Sequence, residues 1–352
     1  MGTPRFDIVQ VEVTSKCNAR CIICPKTYLK DWISGDMQQN TFLHISEIFS
    51  SANYIHLQGW GEPLLHPGFE DMLTFLIKKK KRKCGFTTNG QLLTKEKIDR
   101  FLQTGVDIIA ISMAGADKKM HESIRKGTEF SKIIEAASYI AEQKQKQGLK
   151  KPELVLLFII TVLNIHQLPD FIKLASDIGA DRAVPNNVDF VPCKEIDLIR
   201  AFNRDEKKEE YEEIMKKTKQ QAKERKIELR FYSLFPEEQG ICEANPLKNI
   251  YIAHDGCVSP CVYLGLPVKE IPVYRDGKVD TVKRVCFGNI KEKGIKEIWK
   301  DKSYVLFRNI FKKRKNIHLL DTIMGIFLGL GEKGSNLPAP PECKSCYKLL
   351  GF

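Results

Sequence analysis

Residues 6–24 read FDIVQVEVTSKCNARCIIC. The first eight residues are rich in Val and Ile and nearly continuous in hydrophobicity, as a strand buried on both faces should be. Directly after them stand Cys17, Cys21 and Cys24, spaced C-x3-C-x2-C, with no fourth cysteine near. A tetrahedral zinc site or a cubane iron–sulfur cluster normally takes four protein ligands. The strand therefore ends in a metal site one ligand short, and the rest of the sequence has to say what completes it.

Outward from that stretch, short β-rich runs alternate with helical patterns up to about residue 190. The runs are YIHLQ, KCGFTT, VDIIAISM, ELVLLFIIT and RAVPNNV. Between them Phe69, Met72, Leu73, Leu76 and Ile77 recur at helix spacing. So do Ile98, Phe101 and Leu102 before Gly105; Ile133, Ile134, Ala137, Ile140 and Ala141; and Leu168, Phe171, Ile172, Ala175 and Ile178 before Gly179. A glycine just past the last periodic residue is a helix stop. Six strand–helix repeats predict right-handed βαβ units and a parallel sheet, in an α/β fold best described as a partial (β/α)6 barrel. Chemistry in such folds sits at the C-terminal ends of the strands. There the sequence places SKC, GWGEP, TTNG and SMAGAD after the first four strands in turn. The domains expected are a barrel core over 1–192, a charged helical connector over 193–240 with a solvated helix at 203–226, and a small cysteine-rich α+β domain over 241–352.

Composition sets limits. With 352 residues and 43% hydrophobic content, the chain can bury a sizeable core. No run of ~20 apolar residues appears. Residues 317–331, IHLLDTIMGIFLGLG, are interrupted by His318 and Asp321, so a buried or amphipathic helix is expected there rather than a membrane span. The N-terminal residues lack the basic and apolar regions of a signal peptide. A soluble, cytoplasmic protein with no membrane partner follows. The net charge is +12, but the basic residues are scattered. The one run, KKKKRK at 78–83, closes a predicted helix, where cations suit the negative end of the dipole; no nucleic-acid partner is expected. Eleven cysteines in a reducing compartment read as metal ligands before disulfides.

The words at the strand ends carry a resemblance. CNARCIIC, then GWGEP with Gly59, Gly61, Glu62 and Pro63, then FTTNG at 86–90, in this strand order, resemble the radical SAM superfamily. In that family three cysteines hold a [4Fe–4S] cluster whose fourth iron is chelated by the amino and carboxylate groups of S-adenosylmethionine. The resemblance implies that Cys17, Cys21 and Cys24 are the ligands and that the GWGEP turn hydrogen-bonds the amino group, its glycines allowing close backbone approach. It also implies that Thr88 and Asn89 face the cofactor, although an Asn–Gly turn accounts for the same residues. IAISMAGADKKMHESIRKG is similar to the family's fourth-strand segment, which implies contacts from Ser112 and Arg125; an Arg fork suits a carboxylate. Many relatives have an Asp two residues after this Ser, where this chain has Ala114. Asn164, after the fifth strand, is a further expected contact.

The C-terminal region adds Cys242, thirteen residues, Gly256, four residues, Cys261, and a final C-x2-C at Cys343 and Cys346. With the words FGNI and KEIW, it resembles the SPASM/twitch extension of radical SAM enzymes. The full pattern has further cysteines, absent here. The resemblance therefore implies one auxiliary [4Fe–4S] cluster, held by Cys242, Cys261, Cys343 and Cys346, with Cys257 the rival ligand. Cys84 reads as a core residue; Cys193, at the active-site end, is open between substrate contact, extra ligand and core. His66 and His254 read as structural. The function implied is reductive cleavage of S-adenosylmethionine and hydrogen abstraction from a peptide, protein or cofactor substrate, with a ferredoxin or flavodoxin as electron donor. PPECKSCYKLLGF and DGCVSPCVY resemble, more narrowly, the maturases of tungsten-pterin oxidoreductases. The alternatives are a small-molecule dehydrogenase of the same family and a non-catalytic iron–sulfur electron carrier.

Overall fold

The computed structural model describes residues 4–328 and 337–352. The barrel runs β1 (Phe6–Val11), α1 (Gln39–Phe49), β2 (Ala52–Leu57), α2 (Phe69–Thr74, continued by a π-turn over Phe75–Lys79) and β3 (Lys83–Thr88). It continues with α3 (Lys95–Thr104), β4 (Ile108–Met113), α4 (Lys118–Ile124), α5 (Phe130–Lys146), β5 (Glu153–Ile160), α6 (Leu168–Ile178) and β6 (Arg182–Asn187). Then come α7 (Lys194–Ile199), α8 (Lys208–Glu224) and β7 (Glu228–Leu229). The C-terminal part holds β8 (Asn249–Ile252), β9 (Val258–Ser259), β10 (Glu270–Arg275), β11 (Lys278–Lys283), α9 (Ile295–Lys300) and α10 (Lys302–Leu328).

One sheet of nine strands carries both parts, in the order β7-β6-β5-β4-β3-β2-β1-β8-β9. β1 through β6 are neighbours in sequence order and all parallel, which is the partial (β/α)6 barrel. β8 adds to the free side of β1, also parallel, with Val9 opposite both Ile55 and Ile250. The cysteine-rich region therefore shares a sheet with the barrel, while β10 and β11 form a separate antiparallel ribbon.

Alternation along the strands sends Val9, Val11, Ile55, Leu57, Phe86, Ile109, Ile111, Leu154 and Leu156 under the helices, where all are buried. The other face departs from the expectation of apolar runs. Gln10, Glu12, His56, Gln58 and Thr87 line the barrel interior, where His56 Nε2 meets Gln58 Oε1 at 2.7 Å and Thr87 Oγ1 at 3.1 Å. An open barrel leaves room inside for such side chains and for ligand, so the inner face need not be apolar.

The charged stretch at 203–226 also differs from a solvated connector. α8 packs on α6 and buries Tyr211, Thr218 and Ala222, and it delivers β7 to the sheet beside β6. Of the helix expected over 317–331, residues 317–328 lie in α10 and 329–331 fall outside the described residues. Among the described residues no helix is long and apolar enough to cross a membrane.

Candidate active site: two thiol clusters at one barrel mouth

The chain leaves β1 through Glu12 and Thr14 into the cysteine loop. Two backbone bonds pin that loop to the C-terminal end of α4 and the residues just past it: Ile22 N to Ile124 O at 2.9 Å and Arg20 N to Lys126 O at 2.8 Å. Cys24 N donates to Cys21 O at 3.1 Å and Thr27 Oγ1 to the same oxygen at 2.7 Å, so the second and third cysteines share a fixed turn. Burial pushes the Cys24 thiol up to about 12, the neighbouring Cys21 and Cys17 adding to the rise and Arg125 opposing it. Burial likewise raises Cys17. Cys24 thus sits in the field of Cys21 and Cys17, where its thiolate is unfavourable until a cation compensates it. The donors are all sulfur, which selects zinc or iron–sulfur. Among the described residues no set of three or more His, Cys, Asp or Glu closes tightly enough for a single metal ion.

The turn after β2 lies directly on the end of β1. A Cβ on Gly61 would stand 2.2 Å from Thr14 O and 2.5 Å from Lys16 O, so only glycine fits. Glu62 N donates to Lys16 O at 2.8 Å, and Gly59 packs against the Glu12 side chain. Pro63 opens a short 3-10 turn. Both carboxylate oxygens of buried Glu62 are committed. Oε1 accepts from Thr88 Oγ1 at 2.6 Å and from Leu64 N at 3.2 Å, and Oε2 accepts from Asn89 N at 2.6 Å. Asn89 Nδ2 in turn donates to Asn18 Oδ1 at 2.8 Å and lies 3.9 Å from Cys17 Sγ. Glu62, Thr88 and Asn89 therefore join the second and third strand ends to the cysteine loop. Burial raises the Glu62 pKa, against the pull of the Asn89, Thr88 and Leu64 hydrogen bonds and of Arg125.

Ser112 is part-exposed on the inner side of β4. Arg125 is 8% exposed and its Nε has no hydrogen-bond partner, while its charge reaches both Cys24 and Glu62. A buried guanidinium edge left unpartnered beside the thiols suits a carboxylate ligand. Asn164 is otherwise. It is wholly buried, its Oδ1 accepts from Thr161 N and Oγ1 at 2.7 and 3.0 Å, and its Nδ2 donates to Ala114 O and Ile159 O, both at 2.9 Å. The expected cofactor contact has no free group to offer; it ties the ends of β4 and β5 together.

The second thiol set also converges. Cys242, Cys261, Cys343 and Cys346 line one cavity of about 50 Å³ together with Asp189, Phe190, Tyr263 and Lys348. A single water needs ~10–15 Å³ on this measure. A space several times larger, walled mainly by sulfur and apolar groups, suits a cluster better than water. Burial raises all four thiols, Cys242 to about 12, and Cys242, Cys261 and Cys343 each feel Cys346. Cys257 is placed elsewhere: it is disulfide-bonded to Cys286, with Cα atoms 5.5 Å apart. That pairing also departs from the reading of the cysteines as metal ligands before disulfides. Cys84 is buried in the core, and Cys193 caps α7 while packing on the main core.

His66 braces its turn, with Nε2 2.9 Å from Met37 O and Nδ1 accepting from Gly68 N at 3.0 Å. His254 does more than shape a hairpin. Its Nδ1 lies 2.8 Å from Glu12 Oε2, and Glu12 Oε1 accepts from Trp60 N at 2.9 Å. Trp60 Nε1 donates to Val262 O at 2.9 Å, and its ring lies 5.5 Å from Phe190 and 6.0 Å from Tyr263. Trp60, from the turn after β2, thus packs on Phe190 and Tyr263, which line the cavity of the other four thiols. Neither the Glu12–His254 pair nor the bracing role of Glu62 was visible in the sequence, since the partners lie 242 and 26–27 residues apart.

Comparison with known proteins agrees with this geometry. Residues 11–175 match the family model of the Radical SAM superfamily, and residues 242–322 that of an iron-sulfur cluster-binding domain, SPASM. The chain is 30% identical over 318 residues to the tungsten-containing aldehyde ferredoxin oxidoreductase cofactor-modifying protein of Pyrococcus furiosus, across 86% of this chain and 83% of that one. Its fold is similar to that of Streptococcus suis SuiB bound to S-adenosylmethionine (TM-score 0.63, 15% identity, 85% of this chain and 66% of that one). It is similar also to anSMEcpe with bound AdoMet (TM-score 0.60, 19% identity, 85% of this chain and 82% of that one). The barrel, the three-thiol loop and a relative aligned along most of both chains agree, and this chain belongs to the radical SAM superfamily.

Proposed function

We propose that this enzyme is a maturase that cleaves S-adenosylmethionine reductively and abstracts hydrogen from a cofactor or protein-bound substrate, with a second cluster as electron acceptor. Cys17, Cys21 and Cys24 would hold a [4Fe–4S] cluster, which would supply the electron for reductive cleavage of S-adenosylmethionine. The protein's residues do the positioning. Arg125 holds the methionine carboxylate, the backbone of the GWGEP turn holds the amino group, and Ser112 reaches the cofactor from β4. Glu62, Thr88 and Asn89 keep these elements in register. The substrate C–H gives up its hydrogen, forming 5′-deoxyadenosine. Cys242, Cys261, Cys343 and Cys346 would hold a second cluster, which would take up the one electron left on the substrate after hydrogen abstraction, with a proton leaving to solvent.

The observation that carries this reading is the unpartnered Nε of buried Arg125, whose charge reaches Cys24 in the three-cysteine loop. The relative named for modifying the cofactor of a tungsten-containing oxidoreductase favours a cofactor as substrate; the donor proposed is a ferredoxin or flavodoxin. The test is anaerobic reconstitution with iron and sulfide, then S-adenosylmethionine and dithionite. 5′-Deoxyadenosine should form in wild type and fall at least tenfold in Arg125→Ala. Its absence from reconstituted wild type, with substrate candidates present, would overturn the proposal.

A further inference from the structure

The cavity of the four C-terminal thiols contains one cation. Lys348, two residues beyond Cys346, is 8% exposed at its side chain. Its Nζ lies 2.5 Å from Asp189 Oδ2 and 3.1 Å from Glu243 Oε2. Asp189 follows β6 at the barrel mouth, and Glu243 adjoins Cys242. Glu243 is held in turn by the Tyr232 hydroxyl and by Arg230 at 3.2 Å. Asp189 also faces the Tyr263 hydroxyl. The fields of Asp189 and Lys348 both reach Cys346, with opposite sign.

A buried ammonium is unfavourable unless paired, and apolar side chains of similar volume usually serve stability as well. Placing one here, with two carboxylates from different parts of the chain, therefore asks for a reason beyond packing. The surroundings supply one. The potential of an iron–sulfur cluster is set by net charge, hydrogen bonding and solvent exposure. Reduction adds one negative charge to the cavity. A fixed cation stabilises the reduced form over the oxidised one, and a fixed carboxylate does the reverse.

We propose that Lys348 is a positioning residue for electron acceptance: its ammonium, oriented by Asp189 and Glu243, sets the reduction potential of the auxiliary cluster. In the step concerned the substrate radical is oxidised by one electron and the cluster is reduced by one. This inference rests on the four-cysteine cluster of the proposed function, and the test separates the two.

The experiment is an EPR-monitored redox titration of the full chain carrying Cys17, Cys21 and Cys24 all replaced by Ala, so that only the second cluster is observed. Against that background Lys348→Gln should lower the midpoint by about a tenfold change in the reduction equilibrium, about 59 mV for one electron. Asp189→Asn should raise it, and Lys348→Arg should leave it near its starting value. Should Lys348→Gln fail to assemble a cluster, Glu243→Gln is the second probe. It sits on a more exposed group and should raise the midpoint by less than Asp189→Asn. Opposite shifts for cation and carboxylate cannot arise from loosened packing, which would move the variants alike. Unchanged potentials, or shifts of one sign, with the cluster intact overturn the role of Lys348 alone. Lack of any cluster signal in the background protein overturns the four-cysteine reading, and this inference with it.

Discussion

At the scale of single residues, His56 shows what the barrel interior demands. Burial drives its pKa from the ordinary 6.5 down to about 4, with the Gln58 hydrogen bond opposing, so the folded protein holds it neutral. Between those values the unfolded chain binds the extra proton and the folded chain does not. Stability is therefore unaffected by His56 above pH ~6.5 and falls as pH drops toward 4. Urea unfolding under anaerobic conditions should show a His56-dependent loss on the order of 2 kcal/mol between pH 6.5 and 5. His56→Gln should flatten that part of the profile, and an unchanged slope would show that His56 is solvated. The sequence offered no hint of this, because YIHLQ read as one apolar run in which His56 was incidental. The cysteines were different. Cys17, Cys21 and Cys24 were legible because three ligands close in sequence need no tertiary information to be recognised together. Cys242, Cys261, Cys343 and Cys346 were grouped by resemblance, and their convergence on one cavity needed coordinates. So did the removal of Cys257 from that set by its pairing with Cys286, 29 residues away.

At the scale of elements, the strands and most helices followed from periodicity, since buried parallel strands and one-sided helices leave plain patterns. α8 was misread as a solvated connector because its buried stripe is narrow. Tyr211, Thr218 and Ala222 are the only buried residues in a helix otherwise dominated by Lys, Glu and Gln. The register between β1 and β8 is the element-level feature with most consequence. It sets Glu12, just past β1, beside His254, just past β8. Both side chains are nearly inaccessible, at 0% and 4%. Removing one partner of such a buried hydrogen-bonded pair leaves the other unsatisfied and costs about 1–3 kcal/mol. His254→Ala and Glu12→Gln should each destabilise the protein on that scale, measured by urea unfolding. The double variant should fall short of the sum by about 1–2 kcal/mol, since the two share one interaction. Strict additivity would mean that the pair does not couple the hairpin to β1. Glu12 also accepts from Trp60 N, so the single variants should weaken S-adenosylmethionine binding as well as stability.

At the scale of the whole molecule, one continuous sheet joins the barrel to β8 and β9, and Trp60, from the turn after β2, packs on Phe190 and Tyr263, which line the cavity of the four C-terminal thiols. The difference in ligand count then divides the labour. On the proposed ligand assignment the three-cysteine set would leave one iron for S-adenosylmethionine, whereas the four-cysteine set would leave none and would suit the passing of electrons. If the sites assemble independently, replacing Cys17, Cys21 and Cys24 with Ala should remove about four irons and abolish 5′-deoxyadenosine formation. Replacing Cys343 and Cys346 with Ala should also remove about four irons, but leave cleavage in place without its coupling to product. Iron analysis and product chromatography on the same samples read both quantities. Loss of about eight irons from either variant would contradict independent sites. Because β8 is hydrogen-bonded to β1 and the Glu12–His254 pair spans the junction, the second variant also asks whether the sheet needs its cluster. The β8 ladder and its buried residues Ile250 and Ile252 lie in the main core, away from the four thiols, which belong to a smaller apolar group with Phe307 and Phe311. The sheet should therefore hold when the second cluster is lost, and the first site should keep its geometry and its cleavage activity.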